Sequence, residues 1–127
     1  MFRRTIIQFV DPKHPLIQLA NQIPWDKLEQ DLTKHHSHTG APAKPVRLML
    51  GLLLLKQLEN LSDEMVIEIW ISVPYFQYFT GETDFQWNQP CDPSDLVHFR
   101  KLIGEERMEL LLQMCTDLHK KQDRINK

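Results

Sequence analysis

A chain of 127 residues is long enough for one hydrophobic core and too short for several. Its formal net charge of -2 excludes a strongly basic nucleic-acid binder, so any contact with a polyanion must be local. The two cysteines, Cys91 and Cys115, are too far apart for a CxxC pair, so neither a zinc site nor a disulfide framework is expected, and a reduced cytoplasmic protein is the default.

In chain order, MFRRTIIQFVDPKHP has a short apolar run broken by Gln8 and Asp11 and no signal-peptide cleavage pattern. Within it, Arg4 to Val10 is the only strand candidate, and its alternation is poor. Leu16, Leu19, Ala20 and Ile23 then recur at helical spacing. Pro24 interrupts, and Trp25, Leu28 and Leu32 begin a second short helix. Residues 1–44 therefore read as a helical arm with a linker, because Gly40, Pro42 and Pro45 punctuate a turn-forming connection.

Residues 45–120 read as the helical core and 121–127 as a tail. VRLMLGLLLLKQLEN has Arg47 and Lys56 on opposite sides and no broad polar face, which predicts a central helix. Its LMLGLLLL run falls well short of the roughly 20 residues that span a bilayer, so no membrane partner is expected. Gly51 would let a neighbouring helix come close. Ser62 is the expected N-cap of the next helix, with Asp63 and Glu64 in its first turn and Met65, Val66, Ile69, Trp70 and Val73 as its apolar stripe.

Pro74 stops that helix. The following YFQYF reads as core packing rather than base stacking, since no lysine or arginine occurs between Lys56 and Arg100 to hold a phosphate. A polar loop, ETDFQWNQP, leads to CDPSDLVHFRKLIG. There Asp92 caps, Pro93 fits the first helical position, and Leu96, Phe99 and Ile103 face inward. Ser94, His98 and Lys101 face outward, and Arg100 flanks the core side, where pairing with an acid is expected. The last helix, from Glu105, places Met108, Leu111, Leu112, Cys115 and Leu118 on one face. The fold class is thus an all-α compact multi-helix domain of five to seven helices, with a helix-turn-helix-like segment between Leu61 and Gly104.

Catalytic constellations are weak. The acids look like helix caps, and His35, His36 and His38 in KHHSH lack the fixed spacing of a metal site. Cys115 sits on an apolar stripe and Cys91 has no basic neighbour in sequence, so neither is an activated nucleophile. No metal, cofactor or catalytic residue is assigned.

The successive motifs HPLIQLANQIPWDKLE, RLMLGLLLLKQLENLSDEMVIEIWISVPYFQYFTGE and PCDPSDLVHFRKLIGEE resemble the N-terminal domain of InsH-type bacterial insertion-sequence transposases, from about Phe9 to Leu118. The resemblance implies a helical module that recognises the terminal inverted repeats of an element or assembles the transposase, ahead of a ribonuclease-H-like domain bearing the DDE acids. No motif of that catalytic domain lies within these residues, so the chain alone is not expected to be an enzyme. Where such proteins often carry Gly-Arg-Pro, this chain has Gly40, Ala41 and Pro42. The DNA-contact candidates are Ser94, His98, Arg100 and Lys101, with Lys44 and Arg47 nearby.

Charge tempers this reading. Residues 1–61 carry eight Lys and Arg against five acids, whereas residues 62–127 carry seven against twelve, so the half that would read DNA is net acidic. Nonspecific affinity should be weak and salt-dependent unless a dimer or a full-length transposase adds phosphate contacts. Three readings therefore stand: a DNA-binding module of a transposase; a helical oligomerisation module or a truncated repressor of transposition without autonomous DNA binding; and, least favoured, an active transposase from this chain alone.

Overall fold

The computed structural model describes residues 5–35 and 44–125. Among them lie seven α-helices: α1 Pro15–Gln22, α2 Trp25–His35, α3 Val46–Glu59, α4 Asp63–Ser72, α5 Pro74–Phe79, α6 Pro93–Ile103 and α7 Glu105–Ile125. The fold is all-α, as the helical periods predict. The described part of the strand candidate differs, for it forms a 3-10 turn at Ile6–Gln8. Its sheet-like contact is an isolated antiparallel bridge from Thr5 to Asp84, and among the described residues no strand continues it into a ladder.

Helix α3 has apolar residues all round because it is surrounded. Leu48 to Leu55 are all buried, and α2, α4, α5, α6 and α7 pack on it. Gly51 admits the end of α5: a Cβ added there would stand 2.8 Å from Thr80 Cγ2 and 3.2 Å from Thr80 Cα. Asn60 ends the helix in the left-handed region, φ 55°, a conformation that asparagine tolerates better than most residues.

The Ser62 hydroxyl accepts the Met65 N–H at 3.1 Å and starts α4 as the sequence predicts. Val66, Ile67 and Trp70 are buried on that helix, while Met65 is 45% exposed. The expected stripe therefore differs in one member, because α4 turns Ile67 rather than Met65 toward the core. The aromatic turn is also more ordered than expected. Pro74 opens α5 from its first helical position, where its missing N–H costs nothing.

The aromatics of α5 divide their work. Phe76 and Phe79 are buried, and Phe79 meets Trp25 edge-on at 5.4 Å. Tyr75 stacks on His14 at 3.9 Å, and the Tyr78 hydroxyl donates to Asn21 Oδ1 at 2.9 Å. Both tyrosines thus hold α1 against α5. Leu16, Leu19, Trp25, Leu28 and Leu32 of the N-terminal pair enter the same apolar cluster as α3, α4, α6 and α7.

Candidate nucleic-acid interface

Helix α6 begins at the Asp92 cap with Pro93 in its first turn. The Asp95 carboxylate reaches back to accept the Asp92 N–H at 2.9 Å, and Gln89 Nε2 donates to Asp92 Oδ1 at 3.0 Å. Leu96, Phe99 and Ile103 are buried, which fixes the rotation of the helix about its axis. Ser94, His98 and Lys101 are left exposed on one face, at the helical spacing i, i+4, i+7.

Val97 shares that exposure, at 38%, and sequence reasoning passed it over. The signal was present, since Val97 falls beside Lys101 at the edge of that face on the wheel. An outward valine carries no charge or hydrogen bond to draw notice, yet a methyl-bearing side chain is suited to the thymine methyl in a major groove.

Arg100 is committed elsewhere. Its Nη1 and Nη2 donate to Asp63 Oδ1 and Oδ2 at 3.0 and 2.9 Å, a two-pronged pair that joins α6 to the first turn of α4. Lys56 adds a third charge, with Nζ 3.4 Å from Asp63 Oδ1. The Arg100 hydrogen bonds hold the Asp63 carboxyl below its usual pKa, and the same bonds raise that of Arg100. The expected pairing with an acid is therefore present.

Arg47 occupies a different corner. Its guanidinium lies 4.8 Å over the Trp25 ring, and its Nε is buried without a hydrogen-bond partner. Burial lowers its pKa from the ordinary arginine value, while Tyr78, Asp26 and Glu29 oppose that shift. Gly81, at φ 96°, makes room for the chain: a Cβ there would stand 2.8 Å from Arg47 Cδ. Lys44 is exposed at the bend before α3. The six sequence candidates thus separate into an outward α6 face of Ser94, His98 and Lys101, a clamped Arg100, a stacked Arg47 and an exposed Lys44 at the bend before α3.

Burial pushes the Cys91 thiol up to about 11, with Asp95 adding to the shift and Lys44 opposing it. Lys44 is the basic neighbour that the sequence around Cys91 does not reveal, and desolvation outweighs it. Burial likewise pushes Cys115 up to about 12. Neither thiol is an activated nucleophile. Among the described residues no group of three or more His, Cys, Asp or Glu is placed to hold a metal ion. Of the KHHSH cluster, His36 and His38 lie outside the described residues, as do Gly40, Ala41 and Pro42. No helix of the described residues is long and apolar enough to cross a membrane.

Comparison with known proteins adds three findings. A family model described as a transposase domain, DUF772, matches residues 4–102. An uncharacterized protein, ORF8 in the nfe locus of Rhizobium meliloti, is 38% identical over 117 residues, which cover 92% of this chain and 56% of that protein. The chain thus spans little more than half the length of that relative. No solved structure matches.

Proposed function

The chain belongs to the DUF772 transposase-domain family, and from that premise we propose that it is the DNA-recognition and assembly module of an insertion-sequence transposase, reading terminal inverted repeats through the outward face of α6. The family membership carries a transposition-related role. The observation that supports DNA reading is the exposed set Ser94, Val97, His98 and Lys101 on a helix whose rotation is fixed by Phe99 and by the Arg100–Asp63 pair. Helix α4 packs against α6, the relation a helix-turn-helix requires between its bracing and reading helices.

Electrostatics orients the proposed complex. A phosphate approaching the α6 N-terminus meets Asp92 and Asp95, so phosphate grip falls to Lys101 at the other end of the face. His98 and Val97 lie between and address base edges. In this arrangement Arg100 supports the reading helix without touching DNA.

Fluorescence anisotropy with a labelled duplex of the element end tests the proposal across a salt series. Lys101→Ala should weaken binding to all duplexes and lower the salt slope by about one, whereas His98→Ala should lose roughly 1–3 kcal/mol for the correct end and little for a scrambled duplex. Unchanged affinity in both variants would remove α6 as the interface. A second reading, self-association, draws support from Leu110, which is 73% exposed on α7. A sedimentation profile that stays monomeric at high protein concentration rejects it.

A further inference from the structure

The last turn of α3, the first turn of α4 and the last turn of α6 meet at one carboxylate, that of Asp63. Arg100 donates to both of its oxygens, at 3.0 and 2.9 Å, so the Arg100–Asp63 pair is already balanced in charge and geometry. Lys56 then brings its ammonium to 3.4 Å from Oδ1, an oxygen that Arg100 occupies. Two cations thus share one anion, and the surplus charge is that of Lys56. Its side chain is 32% exposed against 17% for Asp63, so the surplus lies on the solvent side of the carboxylate.

The electrostatics of the corner agree. Arg100, by hydrogen bond and by charge, and then Lys56 lower the Asp63 pKa, burial opposes them, and no second carboxylate acts on it. Glu59 and Glu64, the nearest acids along α3 and α4, are exposed and do not enter that balance.

Arg100 and Lys101 are consecutive residues in the last turn of α6, so Lys56 stands beside the end of the α6 face at which Lys101 is exposed. A count of charges along the chain hides this. Lys56 belongs to the basic first 61 residues, yet α3 packs against α4 and α6 and delivers it to a helix of the acidic second half. A lysine ammonium is a compact charge on a flexible stem, so it can leave a shared oxygen for a phosphate while Arg100 keeps its planar fork on Asp63.

We propose that Lys56 is a phosphate-gripping residue of the DNA interface, parked on the Arg100–Asp63 pair in the free protein and transferred to the strand that crosses the end of α6. This role rests on the reading of DNA by α6 and adds to it a contact from outside that helix.

Duplex affinity across a salt series tests it, with the urea midpoint of each variant measured alongside. Lys56→Gln should lower the salt slope by about one for the correct end and for a scrambled duplex alike, and Lys56→Arg should restore it. A lysine that only supports the fold would move the urea midpoint and leave the slope unchanged. Asp63→Asn removes the competing anion and should tighten binding to the scrambled duplex severalfold, a gain that Lys56→Gln in the same chain should abolish. An unchanged slope in Lys56→Gln, while Lys101→Ala lowers its own, overturns the proposal and leaves the reading of DNA by α6 standing. Unchanged slopes in both variants overturn the two together. A gain in Asp63→Asn that survives Lys56→Gln assigns the released charge to Arg100 and likewise overturns the role of Lys56.

Discussion

Replacing Gln77 by leucine keeps the side chain close in size but removes every hydrogen bond of its amide. Four partners are then left without it: the Gln86 N–H, the Gln86 carbonyl, the Trp70 carbonyl and, at a longer 3.5 Å, the Ile71 carbonyl. The Trp70 carbonyl lies in the buried last turn of α4, whereas the Gln86 groups are partly buried and recover some water once the loop lifts. A buried group left unsatisfied costs about 1–3 kcal/mol, and partial hydration of the Gln86 pair brings the expected total to about 2–4 kcal/mol. For a domain of this size that corresponds to a drop of roughly 8–15 °C in Tm. Urea unfolding followed by far-UV circular dichroism measures the free energy, and amide exchange at Gln86 reports the loop directly. A loss below about 1 kcal/mol, or protection at Gln86 equal to wild type, refutes the idea that the buried amide holds the loop.

Asp63→Asn should destabilise the fold by about 1–2 kcal/mol at neutral pH, a figure reduced for the partial exposure of the pair. Because the folded-state pKa of Asp63 is depressed, this contribution is fully present above the ordinary aspartate value of 3.8 and fades as pH falls through the lower folded value, so wild type and variant should converge in acid unfolding as the pH drops below that range. Gly51→Ala gains roughly 1 kcal/mol of helix propensity but pushes a methyl against Thr80, including its backbone, and the expected net effect is a lower urea midpoint. With Cys91 raised to about 11, only roughly one molecule in a thousand carries its thiolate at pH 8, so a disulfide reagent should modify the native protein far more slowly than the urea-unfolded chain.

Much of this architecture is legible in the sequence because it depends on local pattern. Ser62, Asp92 and Pro93 mark helix starts by chemistry that acts within one turn, and the unbroken apolar wheel of α3 has no stable place except at the centre. What escaped was set by tertiary partners. Arg4 to Val10 have the composition of a strand, but of the described residues Thr5 alone makes a bridge, to Asp84, and no ladder follows. Met65 fits an apolar stripe as well as Ile67 does, and packing of α4 against its neighbours decides between them. Within the candidate interface, the outward set on α6 follows from the wheel alone. The particular acid that holds Arg100 does not, because Asp63 is 37 positions away in sequence. Gln77 was hidden for a related reason. A glutamine between aromatics gives no sign that its amide will serve as backbone partner to a loop nine residues on.

The Arg100–Asp63 pair also bears on how the exposed face of α6 can change over generations. Since Asp63 helps fix how α6 is turned without lying on that helix, a substitution in α4 can swing Ser94, Val97, His98 and Lys101 together while each keeps its identity. Under the proposed function, a new target preference would then arise at a position outside the α6 face, and a lineage that loses Asp63 should carry a matching change at position 100.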